Sequence, residues 1–591
     1  MAGSISDILV FGWFEYVVFF GMLGASVLIG IYYGCIKSGQ DTVAEYMLGG
    51  KRMPIFPIAM SLIASFISGI TLLGIPSETY VYGTQLYAIN VAIVIAAVLL
   101  NIFYLPVIYK LESTSIFEYL ERRFNHTVRS LGSLMYTLSL FLYIPVVIYV
   151  PSLAFNQVTG MSMYVLAPII CAVCIFYTSL GGLKAVVWSD ALQSMFTLAS
   201  VLAVAVLGLI SVGGVANVYN KSVEGERLEL LNMDFDPFKR TTFPAVVFGS
   251  VVTWMAFFAV HPGTYQRFAA LPTFRHTRLV TVYMCFGLVF VKSIMTFVGL
   301  IMYTKYHDCD PVITKEIQKA GQVLPYYVMD VARDYPGLSG LFLSGVVSTA
   351  LSTMSTGLNT VAMTLFEDFI KPHLPWEISE KSSNLVMKIV VVILGCISTA
   401  MVFIVEKLGP IMQVAITLNG VTTGISLYLF TLGMFIPWAN SKGAICGTLA
   451  AFVSTSWLAI GAQLAILRGD LKFPGKVTSI INCPENSTLH LNLNQTVFGN
   501  PGYGSIVEAD EDLPMLYRIS YLYFSIIGFL VGLLVAMIVS LLTGRQEISE
   551  LSSDLVIPQL RWLFTDEEKK KKKSEPQIYS LVPLNEAIPD N

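Results

Sequence analysis

The sequence predicts an all-α integral membrane protein with thirteen transmembrane helices, and three observations predict it. Of 591 residues, 55% are hydrophobic and only 13% are charged. Soluble chains carry about 25% charged residues, so this chain cannot cover its own surface in water. The mean hydropathy is +0.69, and the charges gather in gaps between long apolar runs. Lipid is therefore the solvent for most of the molecule. Soluble multidomain enzymes, nucleic-acid binders and disulfide scaffolds are excluded. The formal net charge of −3 points to no polyionic partner.

The elements follow in order. Runs 16–36, 54–77, 79–109, 191–220, 241–266, 337–366, 389–405, 443–467 and 519–544 contain no Asp, Glu, Lys or Arg. Each can hold one helix across the bilayer. Run 130–183 is long enough for two, divided near Gln157 and Gly160. Run 279–303 adds another, interrupted only by Lys292, and 408–441 the last, ended by Pro437. Glu15 and the missing basic n-region argue against a signal peptide. Cys171 and Cys174 form a CxxC without further ligands and read as small apolar residues.

An odd number of spans puts the termini on opposite sides, and basic residues orient the chain. With the N-terminus outside, Lys37, Lys51, Arg52, Lys110, Arg122, Arg123, Arg129 and the Lys569–Lys573 run fall inside. The short outer loops 1–10, 76–86 and 155–162 hold no Lys or Arg. Sequons at Asn220, Asn486 and Asn494 then fall outside, as glycosylation requires, whereas Asn125 falls inside and stays bare. Cys309 and Cys483 are the cysteines placed in outer loops, where an oxidising exterior favours a disulfide. The tail from 545 is polar, and its lysine run reads as an inner-leaflet contact.

Three classes of membrane protein compete. No filter-like repeat marks a channel. An intramembrane enzyme would need paired acids or a histidine cluster, yet only His261 of six histidines lies in a span, and there it reads as structural. A secondary transporter needs small and hydroxyl residues at mid-membrane and interrupted helices. Run 337–366 supplies the first: Ser348, Ser352, Ser355 and Asn359 share one helix face, with Thr349, Thr353 and Thr356 beside it. Such a face is either a small-residue packing seam or a site for sodium, whose hard cation takes oxygen ligands. Hydroxyl density alone does not decide. Run 54–77 supplies the second, because Ser68, Gly69 and Thr71 at its centre permit local unwinding that frees carbonyls.

The chain resembles the sodium/solute symporter family over roughly residues 10–545. The motifs are Asp41–Gly50, Tyr177–Gln193, Gln266-Arg267, and Asn359 ahead of Glu367-Asp368. Pro76-Ser77-Glu78, Tyr306–Pro311 and Phe435–Gly443 look most like the monocarboxylate, multivitamin and iodide branch. The resemblance implies a LeuT-like inverted five-plus-five repeat, with one helix before and two after. The chain then divides into 1–53, a transport core 54–442, two further helices with a glycosylated loop over 443–544, and a cytoplasmic tail 545–591. It also implies sodium held by the carbonyls of Ala64 and Ile67 and by Thr349, Ser352 and Thr353. Asp190 stands where the family carries an acid linked to sodium passage. Substrate contacts map to Ser68, Thr71, Tyr143 and Trp254. Thr71 replaces the Gln of iodide and sugar carriers, so neither substrate carries over. Lys292 matches no motif of the branch and reads either as a structural charge or as the partner of a substrate carboxylate.

The expected protein is a plasma-membrane symporter of sodium and a small organic anion, working by alternating access. A vitamin-type or inorganic anion is the nearest alternative, and a sodium-dependent channel or sensor on the same scaffold is another.

Overall fold

The computed structural model describes residues 12–36, 53–373, 379–405, 411–483, 497–498 and 508–564, except 112, 114, 318, 334, 474 and 511. The Asp41–Gly50 motif, the sequons at Asn486 and Asn494 and the Lys569–Lys573 run lie outside the described residues. α1 (Trp13–Ile31) precedes a broken helix, α2 (Ile55–Phe66) and α3 (Gly69–Tyr82), whose halves bend by 53°. There follow α4 (Ile89–Leu99), α5 (His126–Thr159), α6 (Met163–Ser211), α7 (Phe243–Met255), α8 (Pro262–Ala269), α9 (Phe274–Tyr306) and α10 (Leu338–Leu365). The chain closes with α11 (Glu380–Val405), α12 (Ile411–Phe435), α13 (Ser441–Arg468) and α14 (Phe524–Leu542). Two short antiparallel ladders, 471–472 with 508–509 and 478–479 with 497–498, are the strands among the described residues.

Eleven helical stretches are long and apolar enough to cross a membrane, and the bent pair α2–α3 makes a twelfth. This count stops short of the expected thirteen, and α6 runs for 49 residues as one element. Gly182 within it has φ 53° and ψ −155°, a conformation no helix contains and glycine tolerates. It divides α6 into 163–181 and 183–211.

Polar side chains end these helices where the backbone needs them. Ser162 accepts from Tyr164 N–H at the start of α6, Thr242 from Ala245 N–H at α7, and Asn440 from Gly443 N–H at α13. α10 is the central helix. In its most apolar window, which extends into the following turn, 94% of residues are buried, against 28% for α1 and for α14. Its small residues allow this: a Cβ on Gly345 would meet Ser200 Cβ at 2.6 Å, so α6 and α10 touch nearly backbone to backbone.

The two ends of the bundle differ. At one end Arg240 pairs with Glu78, and Arg227 donates to the carbonyls of Gly225 and Val477 at 2.7 and 2.6 Å. Cys309 and Cys483 are joined by a disulfide there. These links strap the loops over the end of α3. Tyr80 donates to Asp310 at 2.9 Å, and burial pushes the Asp310 carboxyl above the usual carboxylate range. Asn220 is exposed at this end, one turn before the Glu224–His307 contact. At the other end Arg123 donates to the carbonyls of Gly433, Ile436, Pro437 and Ala439, closing off α12. Arg129 pairs there with Glu121 and Asp368. Asn125 caps α5 by accepting from Val128 N–H at 3.0 Å.

Candidate functional site

The break between α2 and α3 arises at two residues. Ile67 leaves the helical region (φ −95°, ψ 92°), and Ser68 is extended (φ −90°, ψ 169°). Ile67 N–H still reaches Ile63 O at 3.0 Å, but Thr71 N–H turns onto Ser68 O at 2.9 Å. The carbonyls from Ala64 to Ile67 therefore lose their intrahelical donors. At membrane depth such groups are tolerated only against protein, water or an ion.

α10 crosses this break with its hydroxyl face. Thr353 Oγ1 lies 2.9 Å from Thr349 O and 3.4 Å from Ser65 O. Thr356 Oγ1 lies 3.1 Å from Ser65 Oγ. Thr349 bonds back to Val346 O at 2.7 Å. Ser348 Oγ, Ser352 Oγ and Asp190 Oδ1 are buried with no hydrogen-bond partner among the described residues. The Ser352 hydroxyl faces the Asp190 carboxylate without closing a hydrogen bond to it. Unpaired buried oxygens cost free energy in a low dielectric, and a monovalent cation would relieve that cost. Thr353 thus touches both Thr349 and the broken segment at Ser65, which lies between Ala64 and Ile67, and Ser352 faces Asp190.

Asp190 is itself half of a buried ion pair. Its other oxygen accepts from Ser61 at 2.5 Å and from Arg267 at 2.9 Å. Arg267 also donates to Ser61 Oγ and Thr356 Oγ1, each at 2.7 Å, and to Gly263 O at 3.0 Å. One guanidinium thereby ties α8 to α2, α6 and α10. In the sequence Arg267 stands out only as part of a motif. One signal was available: Asp190 and Arg267 each bound a charge-free run on the same side of the membrane.

A cavity lies beside the break. Ser65, Tyr143, Trp254 and Thr353 line it, together with Tyr136, His261, Arg267 and Asn419. The Phe66 ring sits among Trp254, Phe257, Phe258 and His261 at centroid distances of 6.0, 5.9, 5.7 and 6.3 Å. Tyr143 OH reaches Ser68 Oγ at 3.3 Å. Ser68, Thr71 and Lys292 are buried behind this wall and not on it. Lys292 lies level with the break, because Gly287 abuts Ile63 while Gly299 abuts Pro76 and Thr79. Its ammonium stands 5.0 Å from the Trp254 ring centroid, a cation–π contact. Among the described residues it has no ion-pair or hydrogen-bond partner, so a structural ion pair is not met there. His261, read from sequence as structural, caps a second helix break, between α7 and α8.

Residues 46–451 match the model of the Sodium:solute symporter family. Human sodium-coupled monocarboxylate transporter 1 is 36% identical over 582 residues, covering 98% of this chain and 94% of that protein. The rabbit (Oryctolagus cuniculus) sodium-dependent multivitamin transporter is 34% identical over 546 residues, covering 91% and 84%. Among solved structures, a Na+-coupled sialic acid symporter in its substrate-bound outward-open state superposes with a TM-score of 0.73. It is 21% identical and covers 91% of this chain and 99% of that one, which establishes a common fold.

Proposed function

Because the chain belongs to the sodium:solute symporter family, we propose that it carries a small monocarboxylate together with sodium across the plasma membrane by alternating access. One observation carries the proposal: the carbonyls freed at the α2–α3 break face a hydroxyl-bearing helix that holds unpaired buried oxygens. Neutral oxygens bind a monovalent cation weakly enough to release it. Sodium is held by the carbonyls of Ala64 and Ile67 with Thr349, Ser352 and Thr353, and Asp190 lies on its route. The substrate occupies the adjoining cavity against Tyr143 and Trp254, with Ser68, Thr71 and Lys292 supporting its wall and its charge. The relatives named for monocarboxylates support this substrate class, and the aromatic lining suits a short alkyl chain.

Counting the two halves of α6 separately gives thirteen crossings. The breaks at α2–α3 and at α7–α8 stand at equivalent places in two five-helix repeats, with α1 before them and α13 and α14 after. The N-terminus is outside and the C-terminus cytoplasmic, which puts the disulfide and the Asn220, Asn486 and Asn494 sequons in the oxidising exterior.

Electrophysiology with tracer uptake tests the proposal over a panel of short monocarboxylates, vitamin-type anions and inorganic anions. Saturable sodium current that appears with a monocarboxylate and matches its uptake is the expected result. Sodium current without uptake would mean a channel or sensor. Uptake confined to a vitamin or an inorganic anion would replace the substrate.

A further inference from the structure

We propose that His261 recognises the anionic group of the substrate: its Nδ1 caps the second helix break while its Nε2–H donates into the cavity. This inference rests on the anion-symport reading above and assigns the donor within that site.

The local chain explains the position. α7 loosens into a π-turn at Ala256–Val260, a device found where helices meet function. His261 then turns out of the helix (φ −76°, ψ 124°), and α8 restarts at Pro262, whose missing N–H costs nothing at a first position. His261 Nδ1 accepts from Gly263 N–H at 3.1 Å. A ring nitrogen that accepts carries no proton, so this contact assigns the neutral tautomer with its proton on Nε2.

Nε2 has no hydrogen-bond partner among the described residues, and the ring faces the cavity. Its neighbours are aromatic: Tyr136 meets it edge-on at 5.2 Å, and Phe257 and Phe66 follow at 6.2 and 6.3 Å. None of these rings accepts an N–H well, so the donor remains for a ligand. The cations nearby are differently placed. Arg267 already serves Asp190, Ser61, Thr356 and Gly263, and Lys292 lies behind Trp254. A neutral N–H at the cavity wall can hold a carboxylate while its alkyl part meets Phe66 and Phe257. It also leaves the anion's charge free to be balanced by sodium, so that neither ligand is held by a permanent ion pair.

The two nitrogens can be separated by substitution. His261→Asn keeps an oxygen where Nδ1 accepts, and Asn is a favoured cap, but it removes the distal donor. His261→Gln puts an amide N–H near the Nε2 position. Propanoate uptake, normalised to surface protein, is measured with both variants, and sodium-dependent charge movement is measured without anion. His261→Asn should raise the propanoate half-saturation about 10- to 100-fold, the loss expected for a hydrogen bond to a charged group. Its surface level and its anion-free sodium half-saturation should stay at wild type. His261→Gln should recover most of the loss. A His261→Asn protein with wild-type affinity overturns the inference, and so does Gln behaving no better than Asn. Failure of His261→Asn to reach the surface overturns it as well, because the cap is kept. If the wild type carries an inorganic anion instead, the substrate class fails and the same comparison decides His261 with that anion. A wild type that carries no anion overturns both.

Discussion

Ser352 and Thr353 are adjacent, yet their hydroxyls are bound differently. Thr353 Oγ1 is shared between Thr349 O and Ser65 O, whereas Ser352 Oγ has no partner among the described residues. Removing the Ser352 hydroxyl therefore takes no hydrogen bond from the ion-free protein, and its whole cost falls on the ion. Losing one buried ligand is worth about 1–3 kcal/mol, so Ser352→Ala and Thr353→Val should each raise the sodium half-saturation roughly 5- to 150-fold. Ser344→Ala is the control, since among the described residues Ser344 bonds only to Gly340 O on its own helix. Equal sodium dependence in all three, at normal surface levels, would reduce the hydroxyl face to a packing seam. Lys292 poses the second residue-scale question. If its charge supports the anion, Lys292→Met weakens substrate affinity and leaves anion-free sodium binding intact. Collapse of expression would make it structural.

At the scale of elements, the Asp190–Arg267 pair holds α6 against α8, with α2 and α10 joined through Ser61 and Thr356. Breaking a buried pair on one side leaves an uncompensated charge and costs about 3–5 kcal/mol. Arg267→Gln and Asp190→Asn should each lower surface abundance and thermal stability sharply. The double substitution should recover part of that loss, because it removes both charges together. Additive losses in the double variant would show that the pair contributes nothing beyond its separate contacts. This pair also marks a limit of sequence reading. The Ser-Gly-Thr cluster at 68–71 and the hydroxyl face of 337–366 were legible, because small residues and periodicity are local signals. The Asp190–Arg267 partnership joins residues far apart in sequence, and no local pattern pairs them. The helix break at His261 was not legible for a related reason. The π-turn before it has an ordinary apolar sequence, Ala256–Val260, and nothing in that composition announces a break.

For the whole molecule, the span pattern was legible because lipid imposes length and apolarity on every crossing. The two halves of α6 were already separate runs, divided by Lys184 and Asp190; the backbone turn at Gly182 was not legible, since a glycine's φ is not set by its neighbours in sequence. Function at this scale is a coupling between two sites. In the proposed function sodium binds where α2–α3 meets α10, and the anion binds in a cavity that shares Ser65 and Thr353 with that crossing. Each sodium ion brings roughly 2.3 kcal/mol per 100 mV and about 1.4 kcal/mol per tenfold gradient. That energy reaches the anion only if both ligands favour the same arrangement of the break. Linkage then requires reciprocity: the factor by which sodium tightens the anion equals the factor by which the anion tightens sodium. In purified protein at equilibrium, replacing sodium with choline should weaken propanoate binding by a factor of about 5 to 150, typical of coupled sites. Saturating propanoate should tighten sodium by that same factor. Thr353→Val should shrink both factors together, since Thr353 belongs to the crossing and to the cavity wall. A propanoate affinity indifferent to sodium would show that the two sites, though adjacent, do not share one conformational equilibrium.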